Sequence, residues 1–259
     1  MLTEGVDEGA RMDLGLAERV YLVTGGSKGL GFATARALVA DGARVVLSSR
    51  SKENVTAAAA ELGGAAVGIP GDNADPDLAD RLVATAKERF GRVDGMLVSV
   101  GGPPAGTVLS TALDDWESAF RSVFVGTLRL LRTVADELPD GGAIGLVLST
   151  SVREPLANLA ISNGFRPGLA MVAKTLAGEL GPRGIRVVSL LPGAFATDRM
   201  LHLVGGDPDA MRRRADGVPL GRMGEPDEFG RVAAFVLSPA ASYLTGTVIS
   251  VDGGAVHAL

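Results

Sequence analysis

Cysteine is absent from all 259 residues, which excludes disulfides, thiol catalysis and thiolate metal sites. Histidine and tyrosine are scarce, with two of each, and there is one tryptophan. No metal site is expected. No apolar run approaches the length that spans a bilayer, and no basic start followed by an apolar segment marks a secretory signal. The expectation is a soluble, cytoplasmic protein. Positive charge is not in excess: 25 Lys and Arg stand against 30 Asp and Glu, for a net charge of −5 and a pI near 5.2. That balance argues against a broad nucleic-acid or membrane-binding face. Arg212, Arg213 and Arg214 form one basic cluster and read as a solvated helix face.

Apolar residues make up 46% of the chain and mean hydropathy is positive, at +0.26, which is ample for a buried core. The length suits one undivided α/β sheet domain. Residues 1–11 are polar and aperiodic and read as a flexible extension, leaving 12–259 as the domain. Within it, β-branched apolar runs alternate with alanine-rich segments of helical period. Strands are predicted at Val20 to Thr24, Arg44 to Ser48, Ala66 to Pro70, Gly95 to Val100, Ala143 to Ser149, Ile185 to Leu191 and Thr247 to Val251. Helices are predicted near 30–41, 51–62, 76–90, 114–138, 162–181 and 225–237. Strands apolar on both faces and joined by helices imply a seven-stranded parallel sheet covered on both sides. The fold class is therefore α/β, a single doubly wound Rossmann-type domain whose ligand sits beyond the C-terminal strand ends.

Thr24 to Gly31 read T-G-G-S-K-G-L-G, between the first strand and the first helix. Glycines at 25, 29 and 31 let the chain turn tightly and bring backbone N–H groups of the Ser27, Lys28 and Leu30 region against a pyrophosphate at the positive helix end. Strand two ends Ser48-Ser49-Arg50, where NAD-selective enzymes usually place an acid for the ribose hydroxyls. A carboxylate there repels a 2′-phosphate, whereas Ser49, Arg50 and Lys28 bind one. NADP(H) is preferred over NAD(H), with an exposed loop charge as the plainer account of Arg50. Asp72 and Asn73, after strand three, are placed to meet the adenine.

These features, with Leu97-Val98-Ser99-Val100-Gly101-Gly102 on strand four, a serine after strand five, Pro192-Gly193 with Thr197 after strand six, and Thr245-Gly246 leading to Val251-Asp252-Gly253-Gly254, carry a family resemblance over about residues 12–257. The chain resembles the short-chain dehydrogenase/reductase family, and most closely its 3-oxoacyl-carrier-protein-reductase-like branch. The resemblance implies that Gly101, Pro192, Gly193 and Thr197 lie along the nicotinamide side, and that about 198–218 forms a substrate lid, which Gly205, Gly206 and Pro208 suit. It also implies a homotetramer or dimer built through helices 114–138 and 162–181 and the last strand. Packing within one chain accounts for the same residues.

The family's catalysis uses an Asn, Ser, Tyr, Lys tetrad. Anchored on Ala173-Lys174-Thr175-Leu176-Ala177-Gly178-Glu179, the tyrosine position falls on Ser162, thirteen residues after Ser149, and the lysine position on Arg166, four further on. The asparagine position falls on Val123. Only the serine survives, and neither Tyr21 nor Tyr243 lies near the site. Serine is too weak an acid to protonate an alkoxide, and arginine cannot pass its proton into a relay. Arg166 can still hold a ribose or an anionic substrate through its planar fork. The catalytic candidates are Ser149, Ser162 and Arg166. Polar rim candidates are Glu154, Asn158, Asn163 and His202, with Thr150, Ser151, Arg153 and Asp198 beside them. His202 is either a proton donor or an exposed loop histidine, Glu154 either an acid or a loop charge, and Asp198 more often a helix cap. Three functions follow: an NADPH-dependent reductase of an activated C=N, C=C or C=O bond, a redox-neutral cyclase, dehydratase or isomerase, or a nucleotide-binding subunit without turnover. The intact glycine loop and the Lys28, Arg50 pair favour retained cofactor binding, which raises the first and third over the second, and the expectation is the first, acting on a small molecule.

Overall fold

Strand and helix alternate along the chain as the hydrophobic pattern requires. The computed structural model describes residues 13–203 and 205–258, so the expected extension at 1–11 lies outside them. The strands are β1 Val20–Thr24, β2 Arg44–Ser49, β3 Ala66–Pro70, β4 Gly95–Ser99, β5 Ala143–Val147, β6 Arg186–Pro192 and β7 Thr247–Val251. They form one seven-stranded sheet in the order β3-β2-β1-β4-β5-β6-β7, with every pairing parallel. The helices are α1 Gly29–Ala40, α2 Lys52–Leu62, α3 Leu78–Phe90, α4 Leu113–Ala119, α5 Gly126–Glu137, α6 Ala160–Leu180, α7 Asp198–Leu203, α8 Pro208–Asp216 and α9 Pro226–Leu237.

Alternation along each strand sends successive side chains to opposite faces. Val20 and Leu22 of β1 face α3, α5 and α6, joining Met96, Leu82, Leu130, Val134 and Leu169 in one core. Tyr21 and Val23 face α1 and α9, joining Leu97, Leu38, Phe229 and Ala233 in the other. The chain reverses its winding between β1 and β4, which are neighbours in the sheet, and this opens a crevice at their C-terminal ends.

At the opposite end two buried charges knit the sheet. Asp94 accepts from Val20 N at 2.9 Å and from Arg92 Nε at 2.8 Å. Arg186 donates to the carbonyls of Val236 at 2.7 Å and Ser238 at 2.8 Å, placing a cation at the C-terminal end of α9.

The structure corrects several boundaries. β2 runs one residue further, to Ser49, because Ser49 pairs with Pro70. β4 and β5 stop together at Ser99 and Val147, which pair with each other, and β6 extends to Pro192 opposite Val251. The single helix expected over 114–138 is interrupted by a π-helical turn, Phe120–Val125, where one extra residue per turn is invisible to a period count. That turn carries Val123, 3% exposed, at the tetrad's asparagine position. The lid contains two helices that glycine and proline hid. Thr197 Oγ1 accepts from Met200 N at 3.3 Å to start α7, and Asp207 caps α8 with Pro208 in its first turn. Arg212 and Arg213 sit on exposed α8, paired with Asp209 and Asp207.

Candidate functional site

Close backbone packing, rather than turn chemistry alone, fixes the glycine loop. A Cβ on Gly25, whose φ is +57°, would lie 2.5 Å from Ser99 O, and one on Gly31 would lie 2.4 Å from Gly25 O. Beside them Thr24 Oγ1 donates to Ser99 O and accepts from Ser99 N, both at 3.0 Å, locking β1 to β4 at the reversal point. The loop delivers the chain into α1 at Lys28, the helix's first flanking residue, in extended conformation. Ser27, Lys28, Gly29 and Leu30 thus surround a helix N-terminus at the crevice.

The nucleotide's expected neighbours lie along the same edge. Arg50 is exposed just beyond β2, and Ser49 Oγ donates to Ser51 O at 3.1 Å, so its hydroxyl proton is spent on the turn. Asp72 Oδ1 accepts from Ala74 N at 2.8 Å and shapes the bend after β3. Asn73 is the informative residue here: its Nδ2 is buried with no hydrogen-bond partner. A buried amide donor left unpaired costs free energy. Gly101 faces open space beyond β4. Gly193 N donates to Val251 O at 2.9 Å, which seats the Pro192-Gly193 turn against β7, and Thr197 packs over Gly29. These residues fit a dinucleotide.

The three catalytic candidates, Ser149, Ser162 and Arg166, gather at the ends of β4 and β5. Ser149, still extended at the end of β5, accepts from Ser151 N at 3.1 Å and so keeps its own O–H to donate. Ser162 lies in the first turn of α6, its Oγ 3.1 Å from Ser151 Oγ. Both hydroxyls are buried, so Ser162 is tied to a neighbour. Arg166, one turn further and 4% exposed, donates from Nη1 to Val147 O at 2.9 Å and from Nη2 to Val100 O at 3.3 Å. Its guanidinium therefore bridges the ends of β5 and β4. Burial, and then the charge of Arg199, lower its pKa to about 10. At pH 7 only about one guanidinium in a thousand is then neutral.

The rim candidates divide. Asn163 uses both ends of its amide on Leu156, accepting from its N at 3.0 Å and donating to its O at 2.9 Å, so it clamps the loop before α6. Asn158 is exposed in the left-handed region, at φ +56°, and its carbonyl accepts from Gly106 N at 2.8 Å. Glu154 is half-buried, and His202 is exposed on α7. Asp198 opens α7 and approaches Lys28 at 3.8 Å across the crevice. Neither tyrosine can serve. Tyr21 is buried in the sheet, donates to Leu237 O at 3.3 Å and has its pKa pushed up to about 12 by that burial, while Tyr243 is fully exposed.

Ser151, already named beside the rim candidates, links Ser149 to Ser162 through its N–H and its Oγ. One participant had little signal in the sequence. Arg199, in the lid, donates to Pro103 O at 2.6 Å, a contact 96 residues away in the chain.

Known proteins similar to this chain show its family and fold. A family model described as enoyl-(acyl carrier protein) reductase matches residues 25–256. The chain is similar to the short-chain reductase protein NovJ of Streptomyces niveus, 35% identical, with 92% of this chain and 94% of that protein covered. It is 32% identical to a 3-oxoacyl-[acyl-carrier-protein] reductase of Synechocystis, over 93% and 98% of the two chains. Among solved structures, L-sorbose reductase from Gluconobacter frateurii complexed with NADPH and L-sorbose superposes with a TM-score of 0.90 at 28% identity, covering 96% of this chain and all of the other.

Proposed function

Because the chain belongs to the short-chain dehydrogenase/reductase family, a family of NAD(P)-dependent oxidoreductases, we propose that it is an NADP(H)-dependent reductase acting on an activated C=N, C=C or C=O bond of a small molecule without a tyrosine and lysine pair. The observation that carries this reading is the contrast within one crevice. The cradle is intact down to the unpaired amide of Asn73, while the proton-donor positions hold Ser162 and Arg166.

NADPH, when bound, supplies a hydride, and everything else falls to the chain. Lys28 and Arg50 present positive charge to nucleotide phosphates. Ser149 donates its free O–H to a carbonyl oxygen or a neutral imine nitrogen of the substrate, holding the double bond in place. Ser162 and Arg166 release no proton at neutral pH: the first is a weak acid held by Ser151, the second stays charged. A cationic iminium suits such a site because its reduction leaves no alkoxide to protonate. An enone or a reactive carbonyl suits it where water reaches the product from the open mouth. The finding of NADPH in the related sorbose reductase supports the choice of nucleotide. Exposed Leu113 and Phe120 at the start of the 113–137 helical run and Met171 on α6 support assembly into a homo-oligomer through those faces.

The test is NADPH consumption across imine, enone and ketone panels. On the productive substrate, Ser149→Ala should lower kcat by about 10²-fold or more, as removal of an oxyanion donor does elsewhere. Full activity in that variant would remove Ser149 from the reaction. Restoring the pair with Ser162→Tyr and Arg166→Lys should raise ordinary ketone reduction by about 10²-fold. A second reading is favoured by the lack of a free acid at Ser162: redox-neutral turnover, or nucleotide binding alone. Product formed without loss of NADPH would select the former.

A further inference from the structure

Two arginines grip the same short loop from opposite sides. Arg166 rises from α6 to Val100 O at 3.3 Å, and Arg199 descends from α7 in the lid to Pro103 O at 2.6 Å. The guanidinium of Arg199 lies flat on the intervening chain: a Cβ on Gly102 would fall 2.6–2.7 Å from its Nη2, Cζ and Nε. Among the described residues, every recorded hydrogen bond of these two side chains ends on a main-chain carbonyl, and neither makes an ion pair. The nearby lid acid, Asp198, leans instead toward Lys28.

Burial depresses the pKa of both, and each carries donors beyond those already engaged. Two like charges held together on one loop, one of them fully buried, destabilise the empty site; an anion between them reverses that cost. The position decides which anion. Nucleotide phosphates belong to the glycine loop and to Arg50, on the β1–β2 side of the reversal point. The arginine pair lies over the ends of β4 and β5, beside Ser149, on the substrate side. A planar guanidinium fork matches a carboxylate.

We propose that Arg199, with Arg166 beneath it, recognises a carboxylate on the substrate, so that the natural substrate is an acid. This rests on the reductase reading for what happens at the double bond, not for the binding of the acid. Calorimetric titration tests it, using phenylpyruvate and cinnamate against their methyl esters, added to the protein saturated with NADP⁺ so that no turnover occurs. At least one acid should bind at least tenfold more tightly than its ester. Arg199→Gln should bring acid and ester within twofold of each other while leaving NADP⁺ affinity unchanged, and Arg199→Lys should retain part of the preference. Equal binding of acid and ester, no binding of either acid, or a preference that survives Arg199→Gln would overturn the proposal. So would a loss of NADP⁺ affinity in Arg199→Gln, since the pair would then serve the nucleotide. If the protein binds no NADP⁺, the reductase reading fails separately, and the same titrations without nucleotide are judged by the same criteria.

Discussion

Arg166 is where stability and function pull apart. Its pKa, held near 10 by burial and by Arg199, lies below the usual arginine value of 12.5. The folded state therefore binds its proton less tightly than the unfolded state, at a cost on the order of 3 kcal/mol below pH 10 that fades as pH rises from there toward 12.5. Two carbonyl contacts offset part of this. Arg166→Met should consequently leave the thermal midpoint at neutral pH unchanged or raised, while weakening nucleotide or acid binding by at least tenfold. A marked drop in the midpoint would mean that the bridge to Val147 and Val100 is needed for the fold. The placing of Ser149, Ser162 and Arg166 at the catalytic positions came from the family resemblance anchored on Ala173 to Glu179. What they touch was not legible: the bond between Ser162 and Ser151, the double clamp of Asn163 on Leu156 and the reach of Arg199 to Pro103 all depend on tertiary placement.

Among the elements, the strands were the most legible, since Val, Ile and Leu runs such as Val20–Thr24 and Thr247–Val251 are buried or half-buried and bounded by turn residues. Helices were harder wherever local signals conflict. Pro167 inside α6 lacks an N–H and would ordinarily break a helix, yet the helix continues to Leu180 because Leu169, Ala170, Ala173 and Ala177 pack on the sheet. The lid helices are short, six and nine residues, and no residue of either is buried. Helix α9 is fastened at its start by Glu228, which accepts from Glu225 N at 2.8 Å and from Arg222 through both oxygens at 2.7 Å. Those bonds, the one to Arg222 first, lower its pKa to about 2 from 4.5. A depressed carboxylate stabilises the fold above pH 4.5 and loses that contribution as pH falls toward 2. Wild type should therefore melt above Glu228→Gln at neutral pH, and the gap should close between pH 4.5 and 2 in thermal melts. A gap independent of pH would assign the effect to packing rather than charge.

At the scale of the molecule, one architecture holds two sites of different character. The β1 side of the crevice is a cradle built from backbone, where Gly31 leaves no room for a side chain. The β4–β5 side is built from side chains, with Ser149 free to donate and two arginines held on the loop that follows β4. The central claim is that the cradle still takes NADPH although the usual proton donor is gone. Titration with NADPH and NADH, followed by nucleotide fluorescence, tests it most directly. The account predicts saturable binding with NADPH at least tenfold tighter than NADH, carried by Lys28 and Arg50. Binding of neither nucleotide would contradict it, and equal affinity for both would remove the assigned role of Arg50.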